Sequence, residues 1–365
     1  MDDKKAGKKR RRLAVIGGAV VVVAALALAA SAVYGQAQMK KLAAMSFDEC
    51  LAYTLEDNAE AVLSVGVIRD GRASYTVYGA DGNELPPELH TYEIGSLTKT
   101  FTAALVQKAA NEGRLDLDAT LDAYLPLPAE NSYPTLAALL THTSGYRGFD
   151  LAAPLTANFL AGDGNVFYGV RREAVMEKLA TLDKPHVEYD FAYSNFGYAA
   201  LSLVLEAVYA QDYAALVNDF AAGLGLSATH ISDGGGDLGR YWQWQEGDVY
   251  LAAGALTSNI EDMLAYAQLQ LDGGELFDAC HQQLREIEDA DSGNAELDIR
   301  LDAIGMAWII DAENGIVWHN GGTSEYNCYL GFCPQSGTAV VILSNLPDDY
   351  RIPATVIGVK LLTRG

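Results

Sequence analysis

Hydrophobic positions fall into three regimes along the chain: one unbroken run, two zones of short alternating stretches, and a long helical zone between them. The unbroken run covers residues 13–33, where only Gly17, Gly18 and Ser31 interrupt Ala, Val, Leu and Ile, and no charge appears. At ~1.5 Å per residue such a helix spans roughly 30 Å, the thickness of a bilayer core. Residues 35–49 have mixed polarity without period and read as a linker. Beyond them, residues 61–68 (AVLSVGVI) and 74–79 (SYTVYG) are β-rich and separated by Asp70-Gly71, a hairpin signal. Residues 97–112 place Phe101, Leu105 and Ala109 on one helical face, and Gly113 supplies a stop.

From about 115 to 271 the pattern is helical, strongest over 199–209 and 260–271, with a glycine-rich loop at 233–239. Strand patterns then return. Residues 306–310 and 316–318 flank Asn314-Gly315, and 326–332 and 338–343 flank Pro334-Gln335-Ser336-Gly337. Residues 351–362 predict a closing helix with Pro353 in its first turn. Strands at both ends around a helical middle do not alternate as βαβ units would. They predict an α+β fold, in which an antiparallel β-sheet formed by N- and C-terminal segments is flanked by helices and carries a helical insertion at about 115–271.

Charge sharpens the reading of the N-terminus. The whole chain carries a formal net charge of −23, yet residues 1–12 carry seven basic groups against Asp2 and Asp3. A basic cluster ahead of an apolar run stays in the cytoplasm. The expected organisation is therefore a basic cytoplasmic tail at 1–12, a transmembrane helix at 13–34, a linker at 35–49, and an extracytoplasmic domain at 50–365. The competing reading is a signal peptide cleaved near Ala30-Ser31-Ala32, which would leave the domain secreted. The strongly acidic body excludes nucleic acid as a partner. Cys50, Cys280, Cys328 and Cys333 form no C-x-x-C pair and no zinc spacing, so no metal is expected. Disulfides and small buried thiols both remain open. Cys328 and Cys333, an odd number of positions apart, would face opposite sides of one strand.

Three short motifs could carry chemistry. Ser96-Leu97-Thr98-Lys99 lies at the start of the first long helix, where i and i+3 side chains share a face and free N–H groups favour developing negative charge. A serine hydroxyl needs a base, and a lysine serves only if its pKa falls from about 10.4. Taken alone, the motif reads as a capping serine and a surface lysine. Tyr193-Ser194-Asn195 opens the helix around Ala199; a tyrosine beside a lysine can shuttle protons, while asparagine can orient substrate. His319-Asn320-Gly321-Gly322 ends the Trp318 strand, and its glycines permit close approach and an oxyanion-binding N–H.

Together, in this order, the motifs resemble the signatures of the β-lactamase/penicillin-binding-protein superfamily, closest to class C β-lactamase-like serine hydrolases. The segments EIGSLTK (93–99), LLTHTSG (139–145), YSNFG (193–197), GALTS (254–258), WHNGGT (318–323) and YLGFCPQSGTAVVILSN (329–345) carry the likeness over about residues 50–365. The resemblance implies Ser96 as acylated nucleophile, with Lys99 and Tyr193 sharing general-base and general-acid duties. Asn195 would contact Lys99 and the substrate amide. His319, Gly321 and Gly322 would flank the substrate, with the Ser96 and Gly322 N–H groups as oxyanion hole. His142 belongs to a family signature and reads as structural. No cofactor is implied. The expected substrate is a small-molecule or peptide ester or amide, with a cell-wall peptide among the candidates and the membrane reached through the N-terminal helix.

Within the class, the alternatives are a D-alanyl-D-alanine carboxypeptidase and a β-lactamase; outside it, a non-turnover penicillin- or peptidoglycan-binding sensor or a structural surface protein. One departure stands out. Class C enzymes carry Lys-Thr-Gly where this chain has His319-Asn320-Gly321, so a permanent cation is replaced by a mostly neutral imidazole, which weakens attraction for substrate carboxylates.

Overall fold

The computed structural model describes residues 39–364, apart from 149, 163, 186, 188 and 289–295. The predicted tail and membrane helix therefore lie outside the described residues. Among the described residues, no single helix is long and apolar enough to cross a membrane.

The sheet is assembled from both ends of the chain. Strands β1 (Leu63–Arg69), β2 (Arg72–Tyr78) and β3 (Glu84–Leu85) come from the N-terminal zone; β4 (Tyr92–Glu93), β5 (His230–Ile231) and β6 (Leu256–Ser258) form a separate small sheet. The C-terminal zone contributes β7 (Arg285–Glu286), β8 (Ala303–Ile304), β9 (Ile309–Asp311), β10 (Ile316–Gly322), β11 (Asn327–Cys333) and β12 (Thr338–Ser344). The large sheet has the order β3-β2-β1-β12-β11-β10-β9-β8-β7, and every pairing is antiparallel. The first strand thus pairs with the last, Leu63 opposite Ser344. Asp70 and Gly71, both at positive φ, close the β1–β2 hairpin as the Asp-Gly signal predicts.

Helices cover both faces of this sheet. On one side, α1 (Phe47–Leu55) packs with the C-terminal helix, against a core that includes Leu63, Trp318, Tyr329 and Ile342. Helix α1 starts inside the stretch read as linker. Ser46 and Glu49 form a reciprocal capping box that fixes its first turn, and Met45 and Phe47 reach the core. The other face carries a larger core built around α2 (Thr98–Asn111), which is buried on nearly every side from Thr98 to Gln107. Helices α3 (Asn195–Tyr209), α4 (Leu251–Gly254) and α5 (Ile260–Asp272) enclose it, and α6 (Ala354–Arg364) closes the opposite layer. The result is the expected α+β arrangement of an antiparallel sheet with a helical insertion.

Strand β10 extends the 316–318 pattern through His319, Asn320 and Gly321 to Gly322, so that the His-Asn-Gly-Gly motif forms its end as expected. Alternation along it sets the side-chain directions. Asn320 donates to Thr355 on the α6 side, so His319 and Gly321 face the α2 side. All four cysteines are free thiols; Cys328 is buried and Cys333, on the same strand, is half-buried.

Candidate active site

Ser96 sits in a single 3-10 turn, Gly95–Leu97, that leads directly into α2. This tight entry holds Ser96 and Lys99 one turn apart on one face, and Lys99 Nζ lies 3.0 Å from Ser96 Oγ. Lys99 is fully buried, and its second partner is the Ala253 carbonyl at the end of α4, 2.6 Å away. Desolvation is the cause that lowers its pKa well below the usual lysine value. Its nitrogen also lies 4.9 Å from the Tyr193 ring centre and 5.6 Å from that of Tyr198.

Tyr193 precedes α3, whose start is fixed by Ser194: its Oγ accepts the Gly197 N–H at 3.0 Å. The ring leaves 41% of the residue exposed. Around the hydroxyl, desolvation raises the pKa above the ordinary phenol value, against a side-chain hydrogen bond with Ser96 that lowers it. Hydroxyl and amine, one helical turn apart, therefore meet a phenol brought in from a distant part of the chain. Asn195 lies in the first turn of α3, half-buried; among the described residues no hydrogen bond joins it to Lys99, and the Ala253 carbonyl takes that place.

The glycines explain how β10 approaches the nucleophile turn. A Cβ on Gly95 would lie 2.7 Å from the Gly322 nitrogen, and one on Gly321 would lie 2.0 Å from the Ile94 carbonyl oxygen. Only bare backbone fits between them. The Cys328 thiol donates to that same Ile94 carbonyl at 3.0 Å, which fastens β11 to the turn.

His319 is buried at 3% exposure, with its ring centre 6.4 Å from that of Tyr193. Its Nδ1 lies 2.5 Å from the Asn320 carbonyl oxygen. Burial first, then Lys99, lowers its pKa to about 3.

Two contributors carry no motif role that the sequence reading assigned. His142, at φ 58°, accepts the Ser194 N–H on Nδ1 at 3.1 Å and lies against the Tyr193 ring at 4.5 Å between centres. It holds the start of α3 and the phenol together. Glu93, three residues before Ser96, is 3% exposed. It accepts from the Thr323 hydroxyl at 2.6 Å and from the Trp242 N–H at 2.5 Å. Desolvation pushes its pKa up to about 7. Glu93 thus ties the nucleophile segment both to the residue after Gly322 and to one wall of a cavity of about 530 Å³ lined by Tyr168, Arg240, Tyr241, Trp242 and Ser324. Glu93 opens the EIGSLTK segment, but nothing in that segment assigns it a role.

A hydroxyl held against a buried amine whose pKa is lowered, beside a phenol and a glycine-lined strand, is an arrangement suited to nucleophilic attack on an acyl carbon. The family model for Beta-lactamase matches residues 47–357, and the chain belongs to that family. "Protein flp" of Staphylococcus aureus (strain N315) is 22% identical over 332 residues, covering 83% of this chain and 63% of that protein, so the chain spans under two thirds of that relative. A beta-lactamase/D-alanine carboxypeptidase from Yersinia pestis superposes with a TM-score of 0.67 at 20% identity, over 89% of this chain and 97% of its own. A D-stereospecific amidohydrolase from Streptomyces sp. gives 0.64 at 19%, over 85% and 97%. These two likenesses establish a common fold.

Proposed function

We propose that the chain hydrolyses an ester or amide through an acyl-enzyme on Ser96, with Lys99 as the base. The observation that carries this reading is the 3.0 Å contact between Ser96 Oγ and an amine whose burial favours the neutral form. Lys99 takes the hydroxyl proton as Oγ attacks the substrate carbonyl carbon. Tyr193, kept protonated by its raised pKa, passes a proton to the departing oxygen or nitrogen as the bond to the acyl carbon breaks. Water then reverses the roles: it loses a proton to the same pair, attacks the acyl carbon, and Ser96 leaves as its hydroxyl. The N–H groups of Ser96 and Gly322 receive the oxyanion, a placement supported by the close packing of Gly95 on Gly322. Asn195, His319 and Gly321 border the substrate, and Glu93 and His142 act as positioning residues.

The working place is outside the cytoplasm, with residues 13–34 as anchor or signal, a reading that rests on the basic-then-apolar order of residues 1–33. β-Lactams and D-alanine-ended peptides are the substrate classes suggested by the names of the fold's neighbours, a beta-lactamase/D-alanine carboxypeptidase among them.

The test is a panel of p-nitrophenyl esters, D-amino-acid amides and nitrocefin, measured on wild type and Ser96→Ala with mass spectrometry of the protein. Transient adducts on Ser96 and turnover lost in Ser96→Ala are expected. Turnover retained in Ser96→Ala sinks the proposal, and a persistent adduct without turnover points to the sensor.

A further inference from the structure

We infer that the His319 position is built to receive a hydrogen-bond donor from the substrate, so that the enzyme prefers acyl compounds bearing a carboxamide or similar N–H group there over those bearing a carboxylate. This deepens the serine-hydrolase reading above and rests on it. A carbonyl oxygen can only accept, so the 2.5 Å contact between His319 Nδ1 and the Asn320 oxygen places the ring proton on Nδ1. A neutral imidazole with its proton on Nδ1 leaves a bare lone pair on Nε2. Among the described residues, Nε2 accepts no hydrogen bond, and it is not one of the sealed, unpartnered polar atoms of the interior. The ring lies on the nucleophile side of β10, opposite Asn320, with Tyr193 as its neighbour.

What this atom offers to the cleft is therefore an acceptor. A carboxylate oxygen brought against it would meet a second lone pair and lose its water without compensation, whereas a carboxamide N–H completes the pair. Protonation would convert the ring into a donor, but burial and the nearby Lys99 hold its pKa at about 3, so the neutral form prevails through the neutral range. Lys99 is driven towards its neutral form, and Arg240, which lines the cavity, is ion-paired to Glu325.

Two aryl esters of one acyl group, a 3-carbamoylphenyl and a 3-carboxyphenyl ester, test this on the full chain at high salt, where long-range repulsion by the acidic surface is screened. Corrected for spontaneous hydrolysis, kcat/KM is expected to favour the carbamoyl ester by at least about tenfold. In His319→Lys the preference should fall to about unity or invert. A wild-type ratio at or below one, or a ratio unchanged in His319→Lys, overturns the inference. Imidazole 15N spectra of the wild type give a readout independent of that variant's folding: a protonated Nδ1 and a bare Nε2 are expected, and the opposite tautomer sinks the claim. Labelling of Ser96 by a fluorophosphonate separates the two levels. With labelling, a failed ratio removes only the donor preference; without labelling or ester turnover, the hydrolase reading falls as well.

Discussion

Two lysines are almost completely buried, Lys99 on one face of the sheet and Lys360 on the other, at 0% and 1% exposure. Each donates to one backbone carbonyl, Ala253 at 2.6 Å and Ala43 at 3.0 Å. Their surroundings differ. Lys360 lies beside the Arg364–Asp298 ion pair near the surface, and desolvation lowers its pKa against the opposing influence of Cys50. Lys99 has desolvation alone. The two lysines share a carbonyl bond but differ in depth and in partner: Lys99 is the more deeply desolvated and has the Ser96 hydroxyl beside it, and these two features set it apart.

That contrast can be broken in several ways. The largest effect is expected from Lys99→Met, which should lower kcat/KM for an activated ester by about 10²–10⁴-fold. It should also raise unfolding free energy at neutral pH, because the fold disfavours the ammonium: the stability Lys99 allows is full above the ordinary lysine pKa and is lost as pH falls. A variant that keeps its activity would show that Lys99 is no base. The wild-type rate should likewise fall about tenfold per pH unit on the acid side, with the limb well below the ordinary lysine value, as a pH series of acylation rates would reveal. Tyr193→Phe should cost about 10–10²-fold, more for poor leaving groups than for p-nitrophenol, since only the former need a proton.

Glu93 extends the comparison to an acid. Its folded pKa is raised from 4.5 to about 7, so its contribution to stability is present below the lower value and is lost as pH rises through the upper one. Glu93→Gln should remove that dependence, which amounts to at most about 3 kcal/mol between pH 4.5 and 7 in denaturant titrations. Smallest of all, Lys360→Met should leave kcat/KM within about twofold, as expected for a residue remote from the reacting atoms.

Much of this was legible from local signals. Asp70-Gly71 and Asn314-Gly315 marked hairpins because their turn geometry is a property of those residues. Ser96 and Lys99 share a face because helical spacing imposes it. Other features were illegible because they depend on partners distant in sequence. The small sheet joins two-residue strands at 92–93 and 230–231 through Leu256–Ser258, too short for any periodic pattern. The Ala253 carbonyl that holds Lys99 is backbone, which no residue type announces. Helix α1 was missed although its Ser46–Glu49 box lies in plain view, since the mixed polarity of residues 35–49 has no helical period to draw attention to it.

The placement of β1 between β2 and β12 has a consequence for biogenesis. A nascent chain halted anywhere before residue 338 carries β1 as an open edge, with the N-terminal hairpin formed and its main partner not yet made. Pairing of β1 with β12 joins strands from opposite ends of the described chain, a non-local contact that forms late. C-terminal truncation that removes β12 should therefore destabilise the fold although that strand carries no residue of the three catalytic motifs.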